Sequence, residues 1–182
     1  MTLYKIESLD TSKTSDVLAV LEIQMENHKE VLISGTDTKN GYLTFLSPPS
    51  YFFDGNITCF VAKQEENIAG YVMLVVNDED MALYNRTISE IRAKIQSDAP
   101  QEIKNYYVIL AQVAVAKTYH GKGIAKALYE HVLEKISGSY SAIVTMIGIC
   151  NNHSTAFHAK MGFETLHTYM DCRIVAKKFK SK

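Results

Sequence analysis

Two clusters of residues in the second half of this 182-residue chain have the types and spacing to do chemistry. The first is HGKGIA, from His120 to Ala125, with two glycines, a lysine and no side chain large enough to keep a ligand from the backbone. Where a strand feeds a helix through such a turn, the first helical amides lack partners and the helix dipole adds partial positive charge, so the turn suits a phosphate. Gly121 and Gly123 let the backbone approach a pyrophosphate, and Lys117, Lys122 and Lys126 add positive charge around it. Neither common nucleotide motif fits. A P-loop needs GK followed by Ser or Thr, whereas Gly123 follows Lys122, and Ala125 and Lys126 do not supply the third glycine of the dinucleotide fingerprint. Glycine turns before helices are common, so on these residues alone the plain reading is a tight strand-to-helix turn.

The second cluster holds Cys150, Asn151, His153, Ser154 and His158. The five-residue spacing of His153 and His158 does not put both on one helix face, and no carboxylate or cysteine cluster completes a metal site, so no metal is expected. Cys150 has no base partner in the sequence and reads as an inert buried cysteine rather than a nucleophile. Taken alone, His158 is as well explained by structural hydrogen bonding as by acid catalysis, and Asn151 by a strand-end turn or helix cap.

The elements that must position these residues follow from hydrophobic patterning. Val108 to Ala116 is a valine-rich apolar run broken only by Gln112, which suits a central strand buried on both faces. Ile124, Leu128, Val132 and Ile136 repeat every fourth residue along a helix, with Gly138 placed as its C-terminal cap. Ala142 to Cys150 reads as a second buried strand, Thr155 to Met161 as a short helix, and Thr165 to Asp171 with Arg173 to Phe179 as a terminal strand pair. Nearer the start, Leu3 to Ile6 alternates as a short strand. Thr11 to Asp16 offers N-cap residues for a helix through about Asn27, whose buried face is predicted to be Val17, Leu18, Leu21 and Met25. Ile57 to Lys63 and Ile68 to Val76 form a hairpin joined at QEEN. Two prolines exclude a regular helix from SPPSYFF, and Asn77 to Asn105 carries a helix from about Ala82 to Gln96 before a break at DAP.

Composition bounds the function. The length fits one domain over residues 1–182 with a sizeable core. A net charge of −1 gives no general pull toward nucleic acid or anionic membrane. Three cysteines without a CxxC pair suggest neither a disulfide framework nor a zinc knuckle, which suits the cytoplasm. No apolar run approaches a membrane span, and MTLYKIESLD lacks the pattern of a secretory signal.

The run AVAKTYHGKGIAKALYEHVLEKI resembles the central motif of the GNAT acetyltransferases: Arg or Gln, two residues, Gly, one residue, then Gly or Ala, landing on His120, Gly123 and Ala125. His120 departs from it, standing where the family has Arg or Gln, which makes one pyrophosphate contact weaker or pH-dependent. Downstream, IGICNNHSTAFHAKMGFE is similar to the second hallmark of that family, with Asn151, Ser154, Phe157, His158, Gly162 and Phe163 on matching positions. The resemblance implies an α/β fold with a mixed central sheet of about seven strands, flanked by helices and splayed between the fourth and fifth strands. It further implies acetyl-CoA as cosubstrate, bound by Val113, Ala114, Val115, His120, Gly121, Lys122, Gly123, Ile124, Ala125, Asn151 and Ser154. Backbone groups of Val113 and Val115 would hydrogen-bond the pantetheine arm. His158 stands where many members carry a tyrosine that protonates the departing thiolate, so it is the expected acid. No base stands out among Tyr106, Tyr107, His153 or a bound water. Tyr42, Phe45, Tyr51, Phe52 and Phe53 would line an apolar acceptor site, or else plug the sheet, and the segment at 77–105 would cover that site or simply pack as a helix. The expected reaction moves acetyl to the amine of a small molecule. A peptide or protein acceptor, or a non-catalytic acyl-CoA-binding module, are the alternatives, and the resemblance leaves room for a homodimer.

Overall fold

Seven strands make one mixed sheet in the order β1-β2-β3-β4-β5-β7-β6. The computed structural model describes residues 4–28, 41–76, 86–104 and 106–179. The strands are β1 (Lys5–Ser8), β2 (Ile57–Gln64), β3 (Asn67–Val75), β4 (Tyr107–Val115), β5 (Ala142–Gly148), β6 (Glu164–Tyr169) and β7 (Cys172–Lys178). Neighbours pair antiparallel except β4 and β5, which run parallel. The helices are α1 (Thr14–Glu26), α2 (Arg86–Asp98), α3 (Gln101–Lys104), α4 (Ile124–Ile136) and α5 (Asn152–Lys160). None of those described is long and apolar enough to cross a membrane.

The two faces of the sheet are sorted by strand alternation. On one face, Ala69, Val72 and Leu74 of β3 and Val108 and Leu110 of β4 pack with Ile124, Leu128, Tyr129, Val132 and Ile136 of α4. Each such aliphatic side chain, fully buried, is worth about 2 kcal/mol, so α4 is held by its stripe rather than by propensity. On the other face, α1 lies over Ile68, Tyr71 and Met73, while Ile88, Ile91 and Ile95 of α2 cover Val75, Ile109, Val144 and Ile174.

Several predicted details change. The buried side of α1 is Asp16, Val17, Val20, Ile23 and Gln24, whereas Leu18 and Met25 are 53% and 51% exposed. Spacings of three and four fit either stripe, and the buried one is set by polar partners of Asp16 and Gln24 that periodicity does not reveal. Its N-cap residue is Lys13, inside the Thr11 to Asp16 cluster, but no side chain makes the cap bond expected there. Gly138 is not left-handed, and α4 instead ends in a turn in which the Ser139 and Tyr140 amides both donate to the Ile136 carbonyl. The insertion helix runs from Arg86 to Asp98 and packs against the sheet core; its predicted start falls at 77–85, outside the described residues. SPPSYFF forms a 3-10 turn at Pro49–Phe53. Cys150 is exposed on the turn after β5, and the buried cysteine is Cys59.

Candidate active site

Strands β4 and β5 pair only at Tyr107–Ala142, Val108–Ile143 and Ile109–Val144. Beyond that point they run on to Val115 and Gly148 without pairing, and the Thr145 hydroxyl donates across to the Leu110 carbonyl at 2.8 Å. The gap opens where β4 bulges. Its register against β3 shifts between Met73 and Leu74, leaving Ala111 as the extra residue. Val108 and Leu110 face α4 before the bulge, and Val113 and Val115 face it afterwards. The Ala116 amide donates to Ala69 on β3, so by alternation the polar groups of Val115 and Val113 point away from β3, toward the gap.

A cavity of about 280 Å³ sits over this opening. Its walls come from Val113 to Val115, from the turn residues His120, Gly121, Gly123, Ile124 and Ala125, and from His153, Ser154, Phe157 and His158 on α5. Ten of the twelve residues that the resemblance assigns to cosubstrate and catalysis are thus brought together, while Lys122 and Asn151 lie outside the lining. Of the candidate bases only His153 reaches the cavity. Tyr107 stands at the paired end of β4, and Tyr106 beside it is exposed. Among the described residues no group of three or more His, Cys, Asp or Glu could hold a metal ion.

The turn into α4 has the geometry of an anion cradle. Gly121 and Gly123 take positive φ of 75° and 79°, and open space surrounds the point where a Cβ would stand on either. Gly123 is the N-cap and supplies no side chain to the first amides of α4. Lys126 lines the cavity and also meets Glu130 at 3.4 Å, whereas Lys122 turns onto the Tyr119 ring, 4.7 Å from its centre. His120 folds back on the strand. Its Nε2–H donates to the Val115 carbonyl at 2.9 Å, and Asn27 Nδ2 donates to the same oxygen at 3.1 Å. The expected pyrophosphate contact of His120 is therefore not preformed, and the Val115 carbonyl already carries two donors.

At the start of α5, the Asn151 side chain accepts from the Ser154 amide at 3.3 Å, making it the N-cap, and its Nδ2 donates to the Tyr42 carbonyl at 3.0 Å. His158 is 4% exposed. Its Nδ1 lies 2.7 Å from the Ser154 carbonyl, an obligate acceptor, so Nδ1 carries the proton. Nε2 then accepts from the Tyr129 hydroxyl. Burial pushes the imidazole down to about 4, opposed by the Ser154 carbonyl. His158, the expected acid, thus keeps its Nδ1 proton on the Ser154 carbonyl and its Nε2 on the Tyr129 hydroxyl, with burial working against the charged form.

A strap at 41–47 contributes Gly41, Tyr42 and Leu43 to the cavity wall, and its anchors were not read from the sequence as functional. The Leu43 amide donates to the Asn27 carbonyl at 2.9 Å and the Ser47 amide to Gln24 Oε1 at 2.8 Å. Gln112 Nε2 donates to the Phe45 carbonyl at 2.9 Å while its Oε1 accepts from buried Tyr71 at 2.9 Å. Gln112, the single break in an apolar strand, was the visible signal for one of these. Of the five aromatics expected at an acceptor site, Tyr42 lines the cavity; Phe45 is half-buried outside the lining, Phe52 is core, Tyr51 packs beneath α2, and Phe53 is exposed.

The sequence matches the profile described as "Acetyltransferase (GNAT) family" over residues 18–163. No curated protein matches the chain. Among solved structures it resembles the ribosomal-protein-S18-alanine N-acetyltransferase of Escherichia coli, with a TM-score of 0.63 and 15% identity over 99% of this chain and 96% of that one. It is also similar to the PaiA N-acetyltransferase of Thermoplasma acidophilum solved with coenzyme A, with a TM-score of 0.64 and 16% identity over 97% and 99% of the two chains. The ribosomal-protein-alanine N-acetyltransferase of Brucella melitensis follows, with a TM-score of 0.60 and 18% identity over 96% and 99%.

Proposed function

This chain belongs to the GNAT acetyltransferase family, and from that premise we propose that it moves the acetyl group of acetyl-CoA to a primary amine of a small molecule by direct attack. The observation that carries this reading is the arrest of β4–β5 pairing after three residue pairs, beside a glycine turn that opens an uncapped helix. Acetyl-CoA supplies a thioester whose carbonyl carbon an amine can attack. In this reading the amides from Gly121 to Ala125 hold the pyrophosphate, with Lys122 and Lys126 adding charge. The gap-facing backbone groups of Val113 and Val115 hold the arm as a neighbouring strand would, and Ala114 keeps that edge pinned to β3. Asn151 and Ser154 shape the far wall through the cap of α5. His158 shapes that wall too, as a neutral residue locked by Ser154 and Tyr129.

Transfer needs a neutral amine, support for the carbonyl oxygen and a proton for the leaving sulfur. In this reading His153, an exposed residue of α5 that lines the cavity, takes a proton from an incoming ammonium. Backbone amides on the gap side of β4 supply the oxygen's donors.

The test is a panel of polyamines, amino acids, aminoglycosides and peptides with acetyl-CoA, read by free thiol. Release with a small amine supports the reading. A peptide beginning with alanine belongs in the panel because two similar structures carry names of ribosomal-protein-alanine acetyltransferases. Turnover confined to that peptide would replace the small-molecule acceptor, and binding without turnover would favour an acyl-CoA-binding module.

A further inference from the structure

We propose that Asn27, the residue that ends α1, is a further contact of the cosubstrate arm: its side-chain oxygen accepts the N–H of the arm's amide nearest the diphosphate. The inference rests on the transfer reading above and brings in a residue from a helix outside both motifs. Asn27 is only 8% exposed and lines the cavity. Its carboxamide nitrogen donates to the Ile23 carbonyl at 2.8 Å and to the Val115 carbonyl at 3.1 Å. Both are obligate acceptors, so the nitrogen end of the side chain is fixed and Oδ1 is the opposite end. The backbone of Asn27 is engaged as well, its amide on the Ile23 and Gln24 carbonyls and its carbonyl on the Leu43 amide of the strap. Oδ1 alone has no partner among the described residues. It is not walled in, because the enclosed side-chain polar atoms without a partner are Tyr4 Oη and Gln24 Nε2. A free acceptor on a nine-tenths buried side chain therefore opens into the cavity over the strand gap.

The edge of β4 gives that oxygen its use. An arm lying along β4 as a further strand would accept from gap-facing amides and donate to gap-facing carbonyls. At Val115 the carbonyl already takes Asn27 and, at 2.9 Å, His120, and two donors fill its two lone pairs. Asn27 takes one acceptor from the strand and returns another: its nitrogen covers the Val115 oxygen while its own oxygen stands beside it on the gap side. Val115 is the last residue of β4, next to the glycine turn. The coenzyme arm carries two secondary amides in series between diphosphate and sulfur, so the one nearer the diphosphate meets Asn27.

The experiment measures Kd by calorimetry for three ligands: coenzyme A, its analogue with an ester in place of that amide, and adenosine 3′,5′-bisphosphate, which has no arm. Wild type is expected to bind coenzyme A about tenfold tighter than the ester, which offers Asn27 an oxygen instead of an N–H. In Asn27→Ala the preference falls to within twofold, while the bisphosphate binds within twofold of wild type. Asn27→Ser, which keeps a polar residue at the end of α1 but withdraws the oxygen, gives the same reading should Asn27→Ala fail to fold. Val20→Ala loosens the buried side of α1 away from the cavity and is expected to keep the tenfold preference. A preference unchanged in the Asn27 variants, lost equally in Val20→Ala, or matched by an equal loss of bisphosphate binding overturns the assignment. A preference that depends on Asn27 in a protein releasing no thiol with any amine would uphold the contact and overturn the transfer reading instead.

Discussion

The Tyr129 hydroxyl of α4 donates to Nε2 of His158 on α5, and both side chains are buried where the two helices meet. The bond fixes the tautomer of His158 and at the same time satisfies a phenol that burial raises well above its usual range. It is a structural joint between the helix that opens at the glycine turn and the helix that forms the far wall.

The joint predicts a pH signature. The folded value of His158, about 4, lies below the unfolded 6.5, so its neutral form stabilises the fold fully above pH 6.5, and that contribution is lost as pH falls toward 4. The loss is roughly 3 kcal/mol. His158→Phe is expected to be less stable than wild type at pH 7.5, because it strands the Tyr129 hydroxyl, and the two stability curves converge by pH 4. Adding Tyr129→Phe should recover about 1 kcal/mol at neutral pH. Chemical denaturation across pH measures both, and parallel curves would count against the joint.

His120 yields an unexpected direction. Because its ring donates to the Val115 carbonyl rather than reaching outward, His120→Ala removes a competitor for the oxygen that the pantetheine arm would use. Coenzyme A should then bind within threefold of wild type or tighter. His120→Arg, which restores the residue type of the resembled motif, should tighten it at least threefold. Calorimetric Kd values decide, and a tenfold loss in His120→Ala would show that the ring serves the pyrophosphate after all.

How far the sequence could lead is clearest at these residues. The β4 and α4 unit was readable because an unbroken apolar run and a fourth-residue stripe are local signals, and Gly121 and Gly123 mark the turn between them. The hairpin at QEEN was readable for the same reason, although its turn places Glu65 at positive φ. The bulge at Ala111 leaves no trace in the sequence, because an extra strand residue is chemically like its neighbours. The anchors of the strap bridge Gln24 to Ser47, Phe45 to Gln112 and Tyr42 to Asn151, separations that no periodicity records. The state of His158 depends on burial and on Tyr129, a residue 29 positions away. A motif position could say which residue stands there but not which proton it holds.

The pair of Lys63 and Asp16 ties α1 to β2. Lys63 Nζ lies 2.7 Å from Asp16 and 3.2 Å from Glu7, and the Asp16 hydrogen bond is the main reason its ammonium titrates above the usual range. Asp16→Ala leaves that ammonium with the weaker partner only. The expected loss is roughly 2 kcal/mol, between an exposed pair and a fully buried one. Asp16→Ala with Lys63→Met should recover most of it. Thermal melts test the cycle, and an unchanged Tm in the single variant would place the pair among ordinary surface contacts.

Gln112 is where the fold and the site meet. Its carboxamide spends both ends at once, accepting from Tyr71 in the core and donating to the Phe45 carbonyl of the strap. Gln112→Leu keeps the apolar volume but strands both groups, so it should cost roughly 2 kcal/mol, a fall in Tm of about 6 °C at this chain length. Gln112→Glu separates the two roles: a carboxylate still accepts from Tyr71 but cannot donate to Phe45, and it repels that carbonyl. Stability then falls as well, and the strap loosens over the cavity, so KM for the amine should rise several-fold while the affinity for coenzyme A, set by the glycine turn, stays within twofold. Tyr71→Phe removes only the core partner and should leave the amine KM alone. If the amine KM moved equally in Gln112→Glu and Tyr71→Phe, the carboxamide would be serving the core and not the strap.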